Sequence, residues 1–431
     1  MKKITEIKKL TDKGEYDPIL SYLYCRPIDE VGEYRDRMGR ILEGFKAEFG
    51  RDEDSEVIVC SAPGRTEIGG NHTDHQRGKV LTAAVDLDAL ACAAPNGRGE
   101  VRVYSEGYGL TSVDISELDP VKDEEGTTNS IIRGIVADIT AKGYKVEGFD
   151  AYVTSDVPGG SGLSSSACFE VLLGVVVNSL FCRSEIEPVE IAKTGRHVEN
   201  VYFGKPSGLL DQMGCAIGGV VYIDFANEET PEYHSVEFDI AEAGYALCII
   251  DSGADHADLT DDYAAVPHEM SSVARELGGE VLCDVDEEEF YGSIPRLRKK
   301  LGDRAVMRTI HYFTDVHRVD AQLEALERGD TDSFLKLVSS SGHSSYMFLQ
   351  NVDTYRDPKY QPVAMAIAMA GHYLNNRGAC RVHGGGFAGT IQAYVPLDIL
   401  DEFRIGMDDL LGDGACRVTY IRPAGGVTLI E

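Results

Sequence analysis

The chain has 431 residues, 43% hydrophobic and 26% charged, a balance that excludes wholesale disorder and, at about 150 residues per domain, predicts two domains. Lys and Arg number 41 against 72 Asp and Glu, a net charge of −31, which repels nucleic acid and anionic membranes except where a local basic pocket forms. No apolar signal core follows Met1, the apolar run Val171–Val177 is far too short to span a bilayer, and the ten cysteines form no C-x-x-C pair. These features predict a soluble cytoplasmic chain with buried free thiols and no membrane span.

Residues 1–50 carry apolar positions at helical spacing, with Ile41, Leu42, Phe45 and Phe49 on one side, and predict helices leading into a strand at Val57–Ser61. Strands are expected at Val80–Val85, Leu90–Ala93 and Val101–Tyr104, then a helix over Thr127–Gly143, a strand at Phe149–Thr154 and an apolar helix over Ser164–Phe181. A second half begins after a strand at Val220–Phe225, dividing the chain into 1–235 and 236–431. It holds acidic loops at Asp255–Asp262 and Asp284–Glu289, helices near Val306–Arg328 and Pro362–Asn376, and strands at Thr390–Val395 and Val418–Ile421. The pattern is α+β, without regular βαβ alternation.

Three glycine-marked segments concentrate the chemistry. Asp156–Ala167 reads D-V-P-G-G-S-G-L-S-S-S-A between a strand and a helix. Its glycines let several backbone N–H groups turn into one concavity, the helix N-terminus adds positive charge, and the serines supply donors or a Mg²⁺ ligand. It is a candidate phosphate cradle, although it lacks the Walker lysine; a serine-capped strand-to-helix turn is the plainer alternative. Ala62–Gln76 packs Arg65, Glu67, Asn71, His72, Asp74 and His75 into a short loop after an apolar strand. Such a set of donors and acceptors suits a polyhydroxylated ligand; a solvated loop of ion pairs is the alternative, and a zinc site at His72 and His75 lacks further ligands. Gly378–Thr390, with three successive glycines and Cys380 and His383, permits close backbone approach to a ligand, or forms a bulged hairpin.

In this order and spacing the three segments resemble the three motifs of the GHMP small-molecule kinases, in particular the galactokinase branch. Pro158–Ala167 resembles the family's Pro-x-Gly-x-Gly-Leu-Ser-Ser-Ser-Ala, and Gly64, Arg65, His72, Thr73 and Asp74 match its first motif. His197–Asn200 and Ser207–Gln212 resemble its Glu-His and Gly-x-x-Asp-Gln elements, and weaker similarity runs on through Tyr263, His311 and Ser341–Ser345. The resemblance implies a two-lobe fold, with a mixed-sheet N-terminal lobe like ribosomal S5 domain 2, a ferredoxin-like C-terminal lobe and an active site in the cleft between them.

It also implies transfer of the γ-phosphoryl group of ATP to a sugar hydroxyl, the anomeric one in galactokinases. Asp211 would then be the general base and Arg65 its partner beside the phosphoryl group; Ser166 and Glu199 would be Mg²⁺ ligands. Gly159, Gly160, Ser161, Gly162, Leu163, Ser164, Ser165 and Ser166 would cradle the phosphates. Arg65, Asn71, His72, Asp74, Gly208, Asp211 and Tyr263 would meet the sugar. The partners implied are a small sugar and ATP, with no nucleic acid or membrane, and no residue pattern sets the oligomeric state. The sequence departs from the family at Asn71, where galactokinases carry Glu, and at Glu67, where they carry Asn; His75 replaces Tyr and His383 replaces Thr. A neutral Asn71 at the C6 end of the sugar would tolerate a changed C6, so galacturonate and L-arabinose stand beside galactose as candidates. A sugar and ATP sensor without turnover, and a kinase of a non-sugar alcohol such as mevalonate or homoserine, are the remaining readings.

Overall fold

The computed structural model describes residues 1–160, 162–254, 259–354 and 356–431. The helical spacing before residue 50 yields a short strand and three helices: β1 (Lys2–Lys3), α1 (Ile4–Asp12), α2 (Asp17–Tyr24) and α3 (Gly32–Phe49). Ile41, Leu42 and Phe45 of α3 are buried with Val57, Val59, Leu90 and Cys92, covering one face of a sheet. That sheet is built from β2 (Glu56–Gly69), β3 (Lys79–Pro95), β4 (Glu100–Ser105) and β5 (Gly109–Asp114). After α4 (Thr128–Ala141), β6 (Phe149–Ser155) inserts between β3 and β4. Then follow α5 (Ser165–Phe181), α6 (Pro188–Val198), α7 (Leu210–Ile217), β7 (Val220–Asp224) and β8 (Glu232–Val236).

The strand order is β1-β2-β3-β6-β4-β5, with β7 also on β3 and β8 on β7. Among the described residues only β4 and β6 run parallel, so the sheet is mixed. Helix α5 is apolar nearly all round, and Val171, Leu172, Val175 and Val176 pack it against the second face together with Ile131 and Ile135 of α4. A helix with no polar face must lie inside the domain, and α5 does.

The remaining chain forms β9 (Tyr245–Ala254), α8 (Thr260–Glu276), α9 (Glu287–Leu301), α10 (Asp303–Glu327), α11 (Thr331–Ser344) and α12 (Pro362–Leu374). It continues with β10 (Ala379–Val382), β11 (Gly389–Pro396), α13 (Leu400–Leu411), β12 (Cys416–Thr419) and β13 (Val427–Ile430). Strands β10-β11-β9-β12 make an antiparallel sheet in the ferredoxin-like order, whereas β13 returns to pair with β2. Ile68, Leu81 and Ala83 of the first sheet share a core with Leu247, Phe334 and Tyr394, joining the two sheets.

Several expected elements shift. The loop expected after Ser61 is strand as far as Gly69, with register shifts at Pro63/Arg65 and Glu67/Gly69. The strands expected at Val80–Val85 and Leu90–Ala93 are one strand, β3, and β5 was not foreseen. Of the expected acidic loop Asp255–Asp262, residues 255–258 lie outside the described residues and Thr260–Asp262 open α8. The run Asp284–Glu289 is the start of α9, where Asp286 caps the Glu289 N–H at 2.9 Å and the following acids face the positive end of the helix. Ile421 only bridges to Val85, because β12 ends at Thr419.

Asp86-Leu87-Asp88 stays in β3 because Asp88, fully buried, is held from several sides. Tyr24 donates to it at 2.8 Å, Arg422 at 2.9 Å, and Ser61 and Arg37 donate as well. Arg37 also meets Asp156, at the root of the glycine segment, at 2.9 Å. Burial pushes the Asp88 carboxyl up, but the charges of Arg37 and Arg422 outweigh it and hold the group below its ordinary value. A depressed carboxyl contributes stability above its unfolded pKa, and this is lost as pH falls through the folded value. Asp88→Asn leaves two buried guanidinium groups without a counter-charge. Its expected cost is about 3–5 kcal/mol in urea unfolding at neutral pH, shrinking as pH falls through the folded value; an unchanged midpoint would mean that Ser61 and Tyr24 alone hold the junction.

Candidate active site

Strand β2 carries Arg65 into the space between the two sheets, and Glu67, two residues on, reaches the same cavity. Arg65 is 7% exposed. Its Nε donates to Asp211 Oδ1 at 2.7 Å, its Nη2 lies 2.6 Å from the same oxygen, and its Nη1 donates to the Gly162 carbonyl. Asp211 sits in the first turn of α7, and Ser164 Oγ donates to its other oxygen at 2.6 Å. Burial pushes Asp211 up, yet the Arg65 charge and the Ser164 hydrogen bond prevail and hold the carboxyl below its usual range. The Asp211 carboxylate is therefore ionised at neutral pH.

Ser164 precedes α5 with a left-handed φ of 57°. Its hydroxyl does not cap the helix as the plainer reading supposed; it goes to Asp211. Gly162, with φ of 71°, has no room for a side chain, because a Cβ would stand 2.9 Å from His383 Nδ1 and 3.0 Å from Thr390 Oγ1. The Leu163 carbonyl accepts the Arg65 backbone N–H at 3.0 Å, tying the glycine segment to β2. Gly159 is exposed, Ser165 opens α5, and Ser161 lies outside the described residues.

At the second residue of α5, Ser166 Oγ donates to Glu199 Oε1 at 3.1 Å. Glu199 is 2% exposed and accepts three more bonds: from Lys205 Nζ at 2.7 Å, Ser207 Oγ at 2.5 Å and Gln212 Nε2 at 2.9 Å. A carboxylate and a hydroxyl at this spacing are hard oxygen donors of the kind Mg²⁺ takes, with phosphate and water completing its shell. Among the described residues no three His, Cys, Asp or Glu side chains gather into a metal cluster of their own.

Arg65, Glu67, His72, Asp74, Lys205, Gly208, Asp211 and Tyr263 line one cavity of about 470 Å³, with the carbonyl-bearing turn at Gly384 and Gly385 as one wall, a size suited to a small ligand. Gly208 is required there, since a Cβ would meet the Asp74 carboxylate. His72 donates Nε2–H to the Gly385 carbonyl at 2.9 Å, and burial, helped by His75, pushes its pKa down to about 4, so the ring is neutral. Tyr263 donates to the Gly386 carbonyl at 2.8 Å. The third glycine segment is thus a β10–β11 hairpin whose turn receives side chains of the first segment. Cys380 and His383 do not pair: His383 bonds Thr66 and Thr390, each at 2.9 Å.

Asn71 is corrected. It is fully buried and lies outside the cavity lining. Its amide donates to Glu67 at 3.0 Å and to the Gly384 carbonyl at 2.7 Å, while its oxygen accepts from Asn351 at 2.8 Å and Ser345 at 3.2 Å. All of its hydrogen-bonding capacity is consumed by protein, so it does not touch a ligand. The carboxylate exchanged out of position 71 reappears in the cavity wall as Glu67, which Arg381 contacts at 2.6 Å. Burial pushes Glu67 up to about 7 despite Arg381 and Asn71. A neutral Asn71 therefore does not open the pocket to a C6 carboxylate.

Comparison with known proteins agrees with this geometry. A family model described as the GHMP kinases N terminal domain matches residues 129–219, and one described as the galactokinase galactose-binding signature matches residues 43–95. A galactokinase of Streptomyces coelicolor is 27% identical over 393 residues, covering 90% of this chain and 97% of that protein. The Lactococcus lactis galactokinase, solved complexed with galactose, superposes with a TM-score of 0.77 at 23% identity, over 90% of this chain and 99% of that one. The Methanococcus jannaschii mevalonate kinase superposes with a TM-score of 0.61 at 16% identity, over 85% and 99%. The two-lobe fold is that of these solved kinases, and the glycine segment at the head of α5 lies within the stretch that the GHMP kinases N terminal domain model matches. Residues 43–95 match the galactokinase galactose-binding signature, and the chain is similar to a galactokinase over nine-tenths of its length.

Proposed function

We propose that the chain transfers the γ-phosphoryl group of ATP to the anomeric hydroxyl of galactose or a closely related neutral sugar. The observation that carries this reading is the junction of Arg65, Asp211 and Ser164, which brings an ionised base, a guanidinium and the glycine segment together beside the cavity. Asp211 accepts the proton of the sugar hydroxyl as its oxygen bonds to phosphorus, and the bond from phosphorus to the β–γ bridging oxygen breaks to release ADP. Arg65 keeps Asp211 ionised and offsets charge on the transferring group. Backbone N–H groups of 159–165 and the head of α5 hold the phosphates. Ser166 and Glu199 would hold Mg²⁺, which when bound neutralises phosphate charge. His72, Asp74, Gly208, Tyr263 and Glu67 surround the sugar, residues 1–235 together with the returning β13 form one lobe and the chain from 236 to β12 the other, and the reaction is cytoplasmic, in keeping with ten free thiols.

Asp74 and Asp211 both line the cavity, and carboxylates in the wall disfavour an acidic sugar. In an ATP-consumption assay over galactose, L-arabinose, N-acetylgalactosamine and galacturonate, galactose is expected to turn over and galacturonate to fall at least about tenfold below it in kcat/KM, a penalty of about 1.4 kcal/mol or more. Preference for galacturonate would overturn the neutral-sugar assignment. Absence of any phosphorylated sugar would overturn the kinase reading in favour of a sensor or a kinase of another alcohol.

A further inference from the structure

The glycine segment contains no lysine, and Arg65 is committed to Asp211, so the cavity has one further ammonium or guanidinium in its wall, Lys205. Its backbone is fixed. Lys205 N–H donates to the Glu199 carbonyl at 2.9 Å, Gly204 before it takes a left-handed φ of 82°, Pro206 follows, and Asn200 brackets Ser207 by accepting its N–H at 2.8 Å. Its side chain is not fixed in the same way. It is 54% exposed, while the Glu199 carboxylate it touches is 2% exposed. That carboxylate keeps Ser166, Ser207 and Gln212 as donors if the ammonium leaves.

Resting on the kinase reading above, we propose that Lys205 is a nucleotide-phosphate-binding residue: its ammonium is parked on Glu199 in the free protein and moves onto a polyphosphate oxygen when ATP enters. The four-carbon stem of lysine carries a compact charge that can swing between two anions without moving the backbone. Departure from Glu199 also frees an oxygen on the residue assigned to Mg²⁺. A pinned loop presenting one mobile cation beside Ser166 supplies the charge that the lysine-free glycine segment lacks.

The test is calorimetric titration of ATP into the full chain in EDTA, so that no divalent ion supplies the charge, with a parallel titration in excess Mg²⁺. Lys205→Met is expected to weaken metal-free ATP at least tenfold, Lys205→Arg to stay within about threefold of the parent, and thermal unfolding of both to match it. Lys205→Gln serves as a second neutral variant if the Met chain folds poorly. Parent-like metal-free affinity in the neutral variants overturns the inference and leaves the kinase reading intact. Failure of the parent to bind ATP in either buffer overturns both.

Discussion

Asp211→Asn is expected to lower kcat by about 10³-fold while leaving KM for ATP near the parent value, within the 10²–10⁴ range for loss of a positioned general base. The substitution preserves the side chain's shape and its place at the start of α7, where it meets both Arg65 and Ser164. What it removes, on the mechanism proposed above, is the charge that orients the attacking hydroxyl and accepts its proton. Because the carboxyl is held below its ordinary range by Arg65 and Ser164 against the opposing effect of burial, the parent should show no loss of activity from this group between pH 6 and pH 8. Initial rates of sugar phosphate formation at saturating ATP measure the effect, with thermal unfolding as the folding control. A variant that retains a tenth of parental kcat would remove Asp211 from the proton transfer and leave it as a partner of Arg65 only.

The two-lobe architecture and the meeting of Arg65, Asp211 and Ser164 were legible in the sequence, for identifiable reasons. The all-round apolarity of Ser165–Phe181 and the glycines before it mark a buried helix with an anion-binding head, and Asp211 and Arg65 each stand in a recognisable motif. What was missed follows from treating Ala62–Gln76 as loop. Read as strand, Arg65 and Glu67 are two residues apart and share a face, which would have put Glu67 on the cavity. Asn71 stands past the register shift at Glu67/Gly69, where alternation along β2 no longer predicts direction. Its burial depends on Asn351, Ser345 and the Gly384 carbonyl, contacts that span about 270 residues and more and leave no local trace. Asp86-Leu87-Asp88 interrupts the apolar pattern of β3, and acids ordinarily favour turns; Arg37 and Arg422, remote in the chain, make a buried Asp88 tenable. Lys205 is a single lysine between Gly204 and Pro206, and nothing near it in sequence reveals that Glu199 lies against it.

The second large effect is expected at Arg65→Met, which takes out the charge on which the ionisation of Asp211 depends. In the parent, burial pushes that carboxyl up and is overcome by the Arg65 charge first, the Ser164 hydroxyl next and the more distant Lys205 after it. With Arg65 gone, burial is opposed only by the weaker pair, so the Asp211 pKa rises. Loss of one electrostatic donor to the transferring group costs about 10²–10³ in kcat, and the partly protonated base lowers it further. A structural role alone would reduce kcat equally at every pH. The chemistry proposed here instead gives Arg65→Met an acid limb at higher pH than the parent, with activity partly recovered as pH increases. Arg65→Lys should retain the ionised base but lose the simultaneous grip on Asp211 and the Gly162 carbonyl that a guanidinium provides, leaving kcat depressed with a parent-like pH profile. Matching profiles for Met and Lys would sever the link between the guanidinium and the base, since these two variants differ in charge at the position where the carboxylate of Asp211 needs it.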